Sequence, residues 1–129
     1  MKGSSFLRRS LQLDAIASGL TGALLLIGAG PVSAVIGLSS PAVARIIGVV
    51  LVMYAAALLW NARRASVSRG ETLAAVVLNA AWVLGSIAVI ELGLLSTLGN
   101  VAVGVVALAV LGFALLEIVG LRRLQDVEP

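Results

Sequence analysis

The chain holds only 6 acidic residues in 129, and it has neither histidine nor cysteine. Two of the acids, Asp14 and Glu117, stand inside or against long apolar runs. A charged group near the centre of a bilayer costs at least ~2.5 kcal/mol, so such residues face a bundle interior or pair with one another. At about 100° per residue, the other polar residues of these runs fall into stripes. Asp14, Ser18 and Thr21 share one face, continued by Gly28. Tyr54 and Asn61 share a second. Ala75, Asn79, Trp82 and Ser86 form a third, extended by Gly93, and Phe113, Glu117 and Gly120 form a fourth. The simplest packing turns every stripe inward and gathers Asp14, Ser18, Thr21, Tyr54, Asn79, Trp82, Ser86 and Glu117 into one polar interior cluster.

Depth sorts these residues further. Ser18, Tyr54 and Asn79 lie on the order of 10 Å in from the ends of their runs that carry the basic residues, whereas Asp14 and Glu117 lie shallower, near the headgroup boundary. The expected arrangement is a hydrogen-bonded layer of Ser18, Tyr54 and Asn79, capped below by Asp14 and Glu117. Its plainer role is glue between helices, worth ~0.6–2 kcal/mol per bond; a ligand or ion site is the alternative. Asp14 has Arg8 and Arg9 nearby in sequence, and Glu117 has Arg122 and Arg123, so ion pairing is the plainer account of both acids. Arg45 and Glu91 each fall about one turn inside the outer end of their helices, away from the basic residues, and are expected to form an interhelical salt bridge.

The chemistry that is excluded is broad. Without histidine or cysteine there are no disulfides, no thiol redox chemistry and no Ser–His or Cys–His nucleophile, and zinc sites of the usual kind are out. No phosphate-binding loop, GxSxG or HExxH motif occurs. No enzyme activity, metal or cofactor is expected.

Composition identifies the elements that must position the cluster. Apolar residues make up 60% of the chain and charged ones 12%, with a mean hydropathy of +1.14. Soluble domains run near 25% charged, so an ordinary soluble domain, a disordered chain and a basic nucleic-acid binder are all excluded. A spanning helix needs about 20 mostly apolar residues, and four stretches qualify: about Leu13 to Gly37, Pro41 to Asn61, Thr72 to Leu95, and Leu98 to Leu121. Spanning strands alternate apolar and polar residues, which these do not. The fold expected is all-α, a four-helix transmembrane bundle of two antiparallel hairpins in one domain spanning residues 1–129. Ser39-Ser40-Pro41 and Ser96 to Asn100 make the short turns, and Ala62 to Glu71 makes a polar, basic connection.

All the basic residues except Arg45 fall before span one, between spans two and three, or after span four. The positive-inside rule then places both termini and the middle loop in the cytoplasm, as for a multi-pass protein of a bacterial inner membrane whose basic groups touch anionic lipid. Pro31-Val32-Ser33-Ala34 after an apolar run looks like a signal-peptide cleavage site, but Asp14 interrupts the run and the run continues to Leu38, so a retained span is expected. Trp60 suits an interfacial tryptophan, and Trp82, midway through span three, suits a packed interior one whose N–H needs a partner. Ala15, Gly19, Gly22, Gly48, Gly85 and Gly104 are expected to let helices approach closely. Sliding the chain by 57 residues sets Asp14 on Glu71, Gly28 on Gly85, Leu38-Ser39-Ser40 on Leu95-Ser96-Thr97 and Ala57-Leu58-Leu59 on Ala114-Leu115-Leu116, which suggests a possible internal duplication.

Asp14 with Ser18-Gly19, Gly28-Ala29-Gly30-Pro31, Tyr54-Ala55, Asn79 with Trp82, and Gly120-Leu121-Arg122-Arg123 together resemble a group of small bacterial four-span integral membrane proteins with no established activity. The resemblance implies a four-helix inner-membrane protein and carries over no activity. Small multidrug-resistance transporters share four spans and an acid in the first, but their Glu-centred aromatic pattern is missing. The Asn and Phe arrangement of fluoride channels is not matched either. The function expected is a non-enzymatic accessory or scaffolding component, partnered by membrane lipids and by other membrane proteins or a second copy of itself, with no nucleic acid. The alternative is a homo-oligomeric transporter or channel for an ion or small molecule.

Overall fold

The structure is a computed structural model that describes residues 2–127, with side chains described for residues 5–124. The described residues form five helices: α1 (Lys2–Ile27), α2 (Ala29–Ile36), α3 (Pro41–Arg63), α4 (Arg69–Glu91) and α5 (Thr97–Val127). No strand occurs among the described residues. Four of the helices are long and apolar enough to cross a membrane, and the chain is a multi-pass helical membrane protein. One end of the bundle carries the α3–α4 loop, the start of α1 and the close of α5. It holds every arginine but Arg45 and is called the basic end below.

Local chemistry sets the helix limits. Ser40 caps α3 by accepting from Ala42 N at 3.2 Å, and Pro41 fills the first helical position, where a missing N–H costs nothing. Ser68 caps α4 by accepting from Glu71 N at 3.1 Å, and Ser96 caps α5 by accepting from Gly99 N at 3.0 Å. At Gly28 the first helix bends without breaking: Gly28 N donates to Leu24 O and Val32 N to Gly28 O, both at 2.8 Å. Pro31 supplies the reason, since it has no N–H and its ring crowds the carbonyl four residues back. Gly37 ends α2 in the left-handed region at φ 86°, which a side chain disfavours.

Several boundaries depart from the sequence expectation. The first helix begins at Lys2 rather than about Leu13. Arg8, Arg9 and Gln12 lower the local hydropathy, yet Leu7, Leu11 and Ala15 recur at helical spacing and all three are buried. They pack with Leu121 and Leu124 at the close of α5 and with Leu58, Ala62 and Val67 around the end of α3, so the core sits toward the basic end. The third expected span, α4, stops at Glu91, four residues short of Leu95, because the chain turns through Gly93 at φ 68°. Gly93 therefore does not extend the α4 stripe.

The helices pair as two hairpins, α1 on α3 and α4 on α5, with α1 and α5 closing the bundle. Gly22 and Gly48 make the α1–α3 crossing: a Cβ at either position would stand 2.8 Å from the other's carbonyl oxygen. Gly19 also lies close, its Cβ position 3.4 Å from Ala55 Cβ, whereas Gly85 and Gly104 have nothing within 4 Å and are not packing contacts. At Gly120 the absent side chain lets Leu7 approach, its Cα 3.1 Å from where a Cβ would stand. Helices α3 and α4 meet mainly toward the basic end, where Tyr54 reaches Ala75 O at 3.2 Å and Asn61 reaches Thr72 Oγ1 at 3.0 Å. Toward the far end their gap stays open.

That gap removes the expected Arg45–Glu91 bridge. Both residues are exposed, and the ion pair among the described residues is Arg64–Glu71 at 3.5 Å. The expected result for Arg45→Ala and Glu91→Ala is therefore a small cost each, within ~0.5 kcal/mol, that adds in the double variant. A reversible unfolding titration in detergent reads this directly. A double variant no worse than either single one would restore the bridge.

Candidate functional site

Four helices each bring one or more polar side chains to a common level. Asp14 lies about 14 Å along α1 from Ser5, Tyr54 about 14 Å from the close of α3, and Asn79 about 15 Å from the start of α4. Glu117 lies about 10 Å before Leu124 on α5. Asp14 and Glu117 are thus not at a boundary below the layer; they belong to it. The early start of α1 and the late end of α5 carry both acids into the bundle, where they are 1% and 0% exposed.

Asn79 is the hub. Its Oδ1 accepts from the Tyr54 hydroxyl at 2.8 Å. Its Nδ2 donates to Asp14 Oδ2 at 3.0 Å and to Glu117 Oε1 at 3.2 Å. An amide nitrogen carries two hydrogens, so both are committed. Ser18 donates its hydroxyl to Asp14 Oδ1 at 3.1 Å, one turn along α1. One amide therefore ties α4 to α1, α3 and α5 together. Of the eight residues the sequence groups, these five form the network. Ser86 instead bonds back to Trp82 O at 2.8 Å and Thr21 to Ala17 O at 2.7 Å, each within its own helix. Trp82 Nε1 is buried without a partner.

Neither acid is ion-paired among the described residues. The nearby arginines have other work. Arg8 donates to the carbonyls of Ala62 at 2.7 Å, Ala65 at 2.8 Å and Arg64, closing the carbonyl end of α3. Arg123 stacks over the Phe6 ring at 4.2 Å. Ion pairing does not explain Asp14 or Glu117.

Above the network, on the far side from the basic end, lies a pocket of about 260 Å³ between α1, α3, α4 and α5. Its walls are apolar: Leu51, Val106, Val110 and Phe113 among others, with Trp82 on one side. Its polar groups are Ser18, Thr21, Tyr54 and Asn79, so the network's upper members form its floor. The rim includes Val50 on α3 and Leu78 on α4, 57% and 54% exposed. The pocket thus opens through the α3–α4 gap onto the bundle's apolar outer surface.

Sequence reasoning missed a second polar group at the basic end. Asn61 is buried, donates to Thr72 Oγ1 at 3.0 Å and accepts from Ser68 N at 2.8 Å, which fixes the α3–α4 loop. The Ser68-x-x-Glu71 spacing is a capping signature that marks the start of α4. Arg8 left no such signal, because its partners are backbone carbonyls. The proposed repeat does not extend to the site. Asp14 is buried whereas Glu71, its counterpart, is exposed in an ion pair, and the counterparts of Tyr54, Asn79 and Glu117 are Leu111, Gly22 and Trp60.

The fold and site define a multi-pass helical membrane protein with a buried acid–amide network beneath an apolar pocket. No family model, curated protein or solved structure matches the chain.

Proposed function

We propose that the bundle binds a small amphipathic molecule and carries it within or across the membrane, with no enzymatic step. The observation that carries this reading is the pocket floored by Ser18, Tyr54 and Asn79. Ligand sites are apolar concavities with a few convergent polar groups, and this one opens sideways, where amphiphiles partition. Its volume falls below the ~300–1,000 Å³ of drug-sized sites, so the ligand is small. The two carboxyl groups behind the floor favour a cationic head over an anionic one. The concentration of arginines at one end supports a bacterial inner-membrane location, with both termini cytoplasmic and anionic lipid at that face. Membership of the group of small four-span proteins is part of the same proposal.

A second reading, an accessory or scaffolding component acting through helix and lipid contacts, is supported by the outer face of α4. There Leu73, Val77, Leu84 and Ile87 are all exposed. Native mass spectrometry from nanodiscs separates the two. A retained foreign subunit supports the accessory reading, a discrete homo-oligomer supports the carrier, and a bare monomer counts against both.

The pocket has its own reporter. In a Trp60→Phe background Trp82 is the sole tryptophan. Octylamine, octanol and octanoate added to nanodiscs are expected to change its emission saturably, with half-saturation in that order. Ala109→Phe, which fills the pocket, should leave only the linear response of lipid partitioning. Linear responses from the unfilled protein to all three probes would overturn the reading.

A further inference from the structure

The donors and acceptors of the acid pair do not balance. Asp14 and Glu117 present four carboxyl oxygens. Three accept one protein hydrogen bond each: Oδ1 of Asp14 from Ser18, Oδ2 of Asp14 from Asn79, and Oε1 of Glu117 from Asn79. The fourth, Glu117 Oε2, is buried and has no partner. Asn79 has no hydrogen left to give. Among the described residues no donor besides Ser18 and Asn79 bonds the acids: α3 offers Tyr54, whose hydroxyl is spent on Asn79 Oδ1, and α4 offers no charged group there. Of the arginines nearby in sequence, Arg9 and Arg122 are exposed, Arg8 is held on the carbonyls closing α3 and Arg123 on Phe6. Asp14 Oδ2 and Glu117 Oε1 accept from the same amide nitrogen, at 3.0 and 3.2 Å, so the two carboxyl groups stand side by side. Two carboxyls that share one donor and are withdrawn from water are one hydrogen short, and a single proton held by the pair satisfies Oε2 and halves the buried charge.

We propose that Asp14 and Glu117 form a binding site for one exchangeable proton, and that a cationic ligand in the pocket displaces it. The coupling half rests on the carrier reading above; the proton site does not. The pair and the pocket share Ser18 and Asn79, so a bound head group stands one side chain away from the acids. When an alkylammonium enters, the carboxyl O–H bond breaks and the proton leaves to bulk water. The carboxylate left behind balances the ammonium charge. One positive charge enters and one leaves, so the buried site keeps its net charge in both states. A neutral ligand releases nothing.

The test is infrared spectroscopy of the full chain in nanodiscs at about pH 7, where exposed carboxyls are ionised. The wild type should show a protonated-carboxyl C=O band equal to one group per chain. Asp14→Asn and Glu117→Gln, both near-isosteric, should each shift the band or its pH midpoint, and the double variant should abolish it. No band, or a band that survives in the double variant, overturns the proton site. Octylamine should then remove the band and release one proton per chain into weakly buffered solution, and octanol should do neither. Below the midpoint, octylamine affinity should fall about tenfold per pH unit, as competition between the two requires. Saturable Trp82 quenching by octylamine with the band unchanged overturns the coupling alone. A band with no saturable quenching overturns the pocket reading and leaves the proton site standing. Melting curves of the variants in the same nanodiscs show that a lost band is not a lost fold.

Discussion

Gly99→Ala is expected to destabilise the bundle by about 3 kcal/mol, the upper part of the usual range for overpacking. A Cβ at Gly99 would run into the Ile36 carbonyl oxygen and would stand 2.9 Å from its carbon and 3.0 Å from Ile36 Cα. These are backbone atoms, so no rotamer change relieves the clash. The close of α2 would have to move away from the start of α5. That movement breaks a fixed set of bonds: Ser96 N donates to Ile36 O at 3.0 Å, and Ser96 Oγ donates to Val35 O at 2.8 Å. Both carbonyls sit at a helix end, where no later residue of α2 can bond them. Gly37, with its Cβ position 2.6 Å from Ser96 N, packs into the same junction. Gly104→Ala is the matched control, also within α5, with open space around it. It should be neutral or stabilise by up to about 1 kcal/mol, as alanine does in a helix interior. Unfolding titrations of the two variants in one detergent measure the contrast. Equal behaviour would mean that α2 is not docked on α5.

Much of this fold is legible in the sequence because lipid imposes strict rules. Backbone groups in a bilayer must be satisfied within the helix, so uninterrupted apolar length identifies α3 to within two residues and the start of α5 to within one, though α5 continues past Leu121 to Val127. Ser40-Pro41 marks the start of α3 by capping chemistry alone. The stripes were legible for a related reason: Tyr54, Asn79 and Glu117 are costly facing lipid, and the shared depth of Tyr54 and Asn79 follows from counting residues, whereas Glu117 reads as shallow only because α5 runs on past Leu121. Asp14 was misplaced because hydropathy saw Arg8 and Arg9 and began the span too late. In the structure Arg8 is spent on the end of α3, and Leu7 and Leu11 continue the buried face beneath it. A window average cannot see that an arginine's partners are carbonyls from another helix. Glycines show the same limit. Gly22 and Gly85 look alike in sequence, yet one touches Gly48 and the other touches nothing, because a glycine's role is set by what crosses it. Arg45 and Glu91 were paired by depth alone, without knowledge that α3 and α4 stay apart at the far end.

The largest effect at the site itself should come from Asn79→Leu, which fits the volume and removes the hub. It takes away the partner of the Tyr54 hydroxyl, one bond from Asp14 and the one protein bond to Glu117. Interhelical bonds in membranes are worth ~0.6–2 kcal/mol each, and buried groups left without partners add their own penalty, so a loss of about 3 kcal/mol is expected. Tyr54→Phe removes a single member of the set and should cost about 1 kcal/mol. The informative variant is the double one. If Tyr54 acts through Asn79, Tyr54→Phe should add little to Asn79→Leu, because its hydroxyl already lacks its shorter bond and keeps only Ala75 O at 3.2 Å. Fully additive costs would mean that the tyrosine is held mainly by Ala75 and that the network is two independent pairs. The functional readout divides along the same line. Asn79→Leu deletes the polar floor, so the saturable Trp82 response to octylamine should vanish. Tyr54→Phe keeps the amide and both acids, so saturation should persist at weaker affinity. A response unchanged in Asn79→Leu would remove the floor from the binding site and leave the pocket an apolar cleft that selects nothing.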